Sequence, residues 1–103
     1  MTVFSDPAFD AVSRQRVTTS VRLRHEAGLH ARPAVKLTKL AKRFSSKISI
    51  AVSAEGPWID AKSIVKLMAA KTPRDTLLYF HAEGDDAEAA VYALVALVEQ
   101  DFP

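Results

Sequence analysis

The segment Gly28-Leu29-His30-Ala31-Arg32-Pro33-Ala34 gathers, at short spacing, the residue types best suited to chemistry in this chain. Gly28 permits a sharp turn. Pro33 is tolerated in the first turn of a helix but not in its interior, so it fixes a helix start close to His30. A histidine at a helix start meets unpartnered backbone N–H groups and the positive end of the helix dipole. The imidazolium is disfavoured there, which leaves a neutral, nucleophilic ring near neutral pH. A phosphoryl group on that ring would be held by the same N–H groups. Arg32, two residues on, adds a planar fork suited to phosphate oxygens. A plainer reading fits the same residues: His30 caps the helix and Arg32 is a solvated charge. The physics of this segment alone leaves both open.

Other candidates carry less. His25 lies at the end of an alternating stretch and His81 inside one, without carboxylates at metal-ligand spacing, so both are expected to be structural. Asp85 and Asp86 read as a helix cap and a helix-dipole partner rather than as catalytic acids. The chain has no cysteine, which excludes disulfides, thiolate metal sites and cysteine nucleophiles. No metal or cofactor is expected.

The elements that position His30 follow from periodicity. Arg16 to His25 alternates, with Val17, Thr19, Val21 and Leu23 against Thr18, Ser20, Arg22 and Arg24, and reads as a half-buried strand. After the break at Gly28, Ala34, Leu37, Ala41 and Phe44 recur at helical spacing with Leu40 alongside, while Lys36, Lys39, Lys42 and Arg43 take the opposite side. Lys47 to Ser53 alternates again, Ala54-Glu55-Gly56-Pro57 turns the chain, and Trp58-Ile59-Asp60 is a short third strand. Ser63 is placed to cap a short helix through Ile64, Val65, Leu67 and Met68, which Pro73 should end. Thr76 to Ala82 is the fourth strand. The last helix opens at Asp85, with Glu88 three residues on as a capping box, and Val91, Leu94, Val95 and Val98 form its inner face. The fold class is α+β in the order βαββαβα: a four-stranded antiparallel sheet with three helices on one face, an open-faced β-sandwich. Residues 1–15 read as an N-terminal extension to a single domain over 16–103. In that extension Pro7 could open a helical turn, with Phe4, Phe9 and Val12 as its apolar contacts.

Size and charge limit the function. A chain of 103 residues, 49% hydrophobic and 25% charged, has the balance of one globular domain. It can build one core but not also a deep substrate cleft, so its chemistry should sit on the surface and be completed by a partner. Met1 to Asp10 carries Asp6 and Asp10, no Lys or Arg and no long apolar run, unlike a signal peptide or membrane span; the cytoplasm is the expected location, without membrane insertion. The net charge of +2 is modest, but its distribution is not. From Arg32 to Lys47 every charged residue is basic, and from Glu83 to Asp101 every one is acidic. Such polarity suits docking to an acidic-faced protein better than binding nucleic acid. The Ile64-Val65-Leu67-Met68 cluster exceeds what so short a helix buries on one side, so part of it should stay exposed as a docking patch.

The His30 segment resembles the active-site motif of the HPr family, histidine-containing phosphocarriers of the bacterial phosphoenolpyruvate-dependent sugar phosphotransferase system. Asp60-Ala61-Lys62-Ser63-Ile64-Val65-Lys66-Leu67 resembles the family's second signature, and Ala82-Glu83-Gly84-Asp85-Asp86 also fits. The resemblance runs from about Arg16 onward. It implies the open-faced sandwich, and phosphorylation of His30 on Nδ1 by enzyme I. Onward transfer would go to a histidine or cysteine of a sugar-specific or regulatory component. It implies a phosphate-supporting role for Arg32, and it matches Ser63 to the serine that a dedicated serine kinase/phosphorylase modifies in some bacteria. Lys36, Lys39, Ile64, Val65 and Met68 are the expected docking residues of what should be a monomer. The chain departs from the family pattern in its extra N-terminal residues, in the turn Glu55-Gly56-Pro57-Trp58, and in Lys71-Thr72-Pro73-Arg74-Asp75, which lacks a glycine before the fourth strand.

The resulting expectation is a phosphoryl relay, not a turnover enzyme, because the protein itself is the covalent intermediate. The alternative is a regulatory module that uses the same surface to act on a kinase or transcription factor. A binder needs no imidazole at position 30, which argues against that as the sole role. Nucleic-acid binding ranks third, because the basic helix lacks interleaved exposed aromatics. The sequence does not separate sugar, nitrogen-regulatory and dihydroxyacetone branches.

Overall fold

The computed structural model describes residues 15–103. The extension and its expected turn after Pro7 lie outside the described residues, apart from Gln15, which begins the first strand. The elements are β1 (Gln15–Arg22), α1 (Ala31–Ala41), β2 (Lys47–Ala51), β3 (Ile59–Asp60), α2 (Ile64–Ala69), β4 (Leu77–Gly84) and α3 (Ala87–Glu99). The strands form one antiparallel sheet in the order β1-β4-β2-β3, matching the expected βαββαβα architecture.

The register shows how alternation divides the sheet into two faces. Val21 pairs with Leu78, Val17 with Ala82, and Ile50 with Phe80. These side chains point to the helical side, where Leu37 of α1, Leu67 of α2 and Leu94 of α3 are fully buried against them. Burying one such side chain contributes about 1.5–3 kcal/mol. Thr18 pairs with His81 and Ser49 with the same residue on the other face, against which none of the described helices packs. His81 there shares a 2.7 Å hydrogen bond with Thr18 and meets Trp58 edge to face.

Several boundaries differ from the periodicity. β2 stops at Ala51 and Val52 is exposed; β3 omits Trp58. Pro73 does not end α2. The helix stops at Ala69, and Lys71 reverses the chain with φ 48°, two residues before the proline. At α3 the cap is Asp86, not Asp85, and no capping box forms. The Asp86 carboxylate turns away from its own helix and accepts from the Ser46 hydroxyl and from the N–H groups of Ser45 and Ser46, the latter two at 2.9 Å. The Glu88 N–H donates instead to Gln15 Oε1 at 2.8 Å, joining the helix start to β1. The bond from the Ser46 hydroxyl, helped by that from the Ser45 N–H, lowers the Asp86 pKa from 3.8 to about 2.

Beyond α3 the chain folds back. Asp101 (φ 61°) and Phe102 (φ 55°) both take left-handed backbone, which costs about 1–3 kcal/mol each for a side chain other than glycine. Full burial of Phe102 and a 2.9 Å bond from its N–H to the Leu97 carbonyl offset that strain. The tail is thereby held against the loop between β1 and α1.

Candidate phosphoryl-accepting site

That loop is set by three residues. Gly28 has φ 74°, and a Cβ there would lie 2.5 Å from the Thr72 carbonyl oxygen, so only glycine fits. Its N–H closes a turn onto the His25 carbonyl at 2.9 Å. Leu29 is buried, and its N–H bonds to Thr72 at 2.9 Å, anchoring the segment. His30 follows as the residue that must face outward.

His30 is exposed and occupies the N-cap position of α1, with extended backbone at φ −91° and ψ −164°. Its side chain makes no capping bond, which removes the plain reading of it as a cap. The Ala34 N–H bonds to the His30 carbonyl at 2.9 Å, and Pro33 has no N–H. The first-turn donors of Ala31 and Arg32 therefore have no backbone partner among the described residues, an arrangement suited to anionic oxygens. Arg32 is exposed in the same turn. The ion pairs between permanently charged side chains among the described residues are Arg16–Glu83 and Arg74–Asp75, neither of which engages it.

The residues expected to dock a partner differ in exposure. His30 and Met68 line one shallow depression with Leu29, Lys71 and Pro73. Val65 is 74% exposed and Met68 38%, whereas Ile64 is half-buried and packs against the core. Lys39 is exposed. Lys36 is not the free charge expected: it is half-buried, and its ammonium donates to the Pro103 carbonyl at 3.2 Å. Val35, exposed between Arg32 and Lys39, belongs to this surface and was not anticipated. Ser63 caps α2 as expected, its hydroxyl accepting from the Lys66 N–H at 3.3 Å.

The residue whose surroundings sequence reasoning missed is His25. Far from serving only a strand end, it stacks on His30 with ring centroids 5.2 Å apart, its Nε2 lying 3.2 Å from His30 Nε2. Its Nδ1 lies 2.8 Å from Asp101 Oδ1. Proximity in sequence to His30 across a glycine turn was the available signal for His25; Asp101 gave none.

The same residues place the chain among known proteins. It is 41% identical over 78 residues to the Multiphosphoryl transfer protein of Vibrio cholerae, a match covering 75% of this chain and 20% of that longer protein. It is 40% identical over 80 residues to Phosphocarrier protein HPr of the same organism, covering 78% and 92% of the two chains. The crystal structure of HPr-C-His from Thermoanaerobacter tengcongensis superposes with a TM-score of 0.77 at 35% identity, over 84% of this chain and 94% of that one. The family model described as the PTS HPr component phosphorylation site matches residues 17–100. With the fold, both signature segments and an exposed histidine at the helix start in agreement, the chain belongs to the HPr family of phosphotransferase-system phosphocarriers.

Proposed function

We propose that His30 is the residue this domain phosphorylates, and that the domain takes the phosphoryl group from enzyme I and passes it to a histidine or cysteine of a downstream component. The observation that carries this reading is an exposed imidazole at the start of α1 that makes no capping bond, beside N–H groups of Ala31 and Arg32 that have no partner among the described residues. Those groups and the Arg32 guanidinium hold the phosphate oxygens. The domain is a covalent carrier rather than a turnover enzyme, and works as a cytoplasmic monomer that binds no nucleic acid. Among the described residues no helix is long and apolar enough to cross a membrane.

Partners dock over Val35, Lys39, Val65 and Met68, with Ile64 supporting the patch from its half-buried position and Lys36 contributing charge at its edge. Ser63 is the site for a serine kinase, since a phosphate there would lie beside this apolar surface. Incubation with enzyme I and radiolabelled phosphoenolpyruvate tests the reading. The expected product carries phosphate that is lost in acid and kept in alkali. No labelling, or label stable to acid, contradicts it.

A further inference from the structure

His25 and Asp101 are not used by the phosphoryl-carrying reading, yet they stand in line behind His30. We propose that they are positioning residues for phosphoryl transfer: Asp101 fixes the tautomer of His25, and His25 keeps the His30 proton on Nε2, leaving Nδ1 as the nucleophile. This inference rests on His30 being the accepting residue.

The argument begins at the carboxylate, which only accepts hydrogen bonds when ionised. His25 Nδ1, 2.8 Å from Asp101 Oδ1, therefore carries a proton and donates it. In a neutral ring the other nitrogen is then an acceptor. That nitrogen, His25 Nε2, faces His30 Nε2 at 3.2 Å, so His30 must be the donor there. A neutral His30 with its proton on Nε2 has a free lone pair on Nδ1.

The chain of groups is held from both ends. The His25 side chain is 17% exposed and meets buried Phe102 edge to face, with centroids 5.8 Å apart. The Gly28 N–H fastens its carbonyl. Asp101 reaches it only because Asp101 and Phe102 are both left-handed, and strained backbone of this kind clusters where geometry serves function.

During uptake, attack forms the Nδ1–phosphorus bond while the donor's bond to phosphorus breaks, its electron pair leaving with the donor. His30 keeps its Nε2 proton. The positive charge gained by its ring is shared through that proton with neutral His25 and offset by the Asp101 carboxylate. Onward transfer reverses each step.

Nitrogen NMR of the unphosphorylated protein, at a pH where both rings are neutral, reads the tautomers directly. The expected result is His25 protonated on Nδ1, the form less favoured by a free imidazole side chain, and His30 protonated on Nε2. Asp101→Gly suits the left-handed backbone and removes the carboxylate. His25 then reverts to a proton on Nε2, faces His30 as a donor, and drives the His30 proton onto Nδ1. Phosphoryl uptake should slow by roughly tenfold or more, the scale of one hydrogen bond to a charged group. His25→Phe keeps an aromatic ring against Phe102 but removes the competing donor, so Asp101→Gly/His25→Phe should take up phosphate faster than Asp101→Gly alone. The proposal is overturned by His25 protonated on Nε2 in the unaltered protein, by an unchanged rate in Asp101→Gly, or by a double variant no faster than the single one. The tautomers are measured without any phosphoryl donor, so this failure is distinct from failure of the His30 reading, which labelling of His30→Ala would reveal.

Discussion

At the scale of single residues, the proposed function separates the group that would react, His30, from the groups that would hold the phosphate. His30 makes no capping bond, and the donors beside it belong to the backbone and to Arg32. Arg32→Ala should therefore leave a working but slower acceptor. Loss of one charge-assisted bond predicts uptake roughly tenfold to a hundredfold slower. Stopped-flow or quenched labelling against enzyme I checks this, and an unchanged rate would remove Arg32 from the site. The Gly28–Ala34 segment was legible from sequence because its meaning is local: a turn, an anchor, a helix start. The partnership of His25 with Asp101 was not, because it joins residues 76 positions apart through a tail whose reversal no periodicity announces.

At the scale of elements, the helix starts tie distant segments together, and one of them, at Ser63, is the proposed place for control. Asp86 opens α3 yet binds Ser45 and Ser46 beyond α1, clamping the loop that leads into β2. Its folded pKa of about 2 lies below its ordinary 3.8, so its contribution to stability is fully present above about pH 4 and is lost as pH falls through 2. Asp86→Asn should lower the melting temperature at neutral pH, with the difference from the unaltered protein shrinking between pH 4 and 2. Thermal unfolding measured across that range checks the sign, and a constant difference would contradict it. The capping box expected at Asp85 and Glu88 failed because a carboxylate one residue later had stronger donors across the fold. Ser63 illustrates the opposite case, a local cap read correctly from local sequence. An aspartate caps as well as a serine, so Ser63→Asp should melt no lower than the unaltered protein. Its added charge sits beside exposed Val65 and Met68, and uptake from enzyme I should slow by roughly tenfold, the penalty of an unpaired charge at a docking surface. Normal uptake by that variant would leave Ser63 as a cap alone.

At the scale of the whole molecule, one face of the sheet builds the core and the helical layer presents exposed His30 beside partly exposed Met68. The sheet and helix order was readable because alternation and helical spacing report burial directly. The proposed docking surface was readable only in outline, since whether a lysine is free depends on contacts distant in sequence, as that between Lys36 and Pro103 illustrates. Lys39 is the clearer steering charge. Lys39→Glu should slow uptake roughly threefold to tenfold at low ionic strength, with the rates converging as salt screens the encounter. A deficit that persists at high salt would assign Lys39 a direct contact instead. The central claim, that one imidazole carries the phosphoryl group, is tested most directly by His30→Ala. An exposed side chain that makes no capping bond and one hydrogen bond, to His25, should alter stability by no more than about 1.5 kcal/mol. With enzyme I and phosphoenolpyruvate, the unaltered protein should show a phosphohistidine signal by phosphorus NMR and His30→Ala none; an acid-labile phosphate on His25 or His81 in that variant would contradict the account.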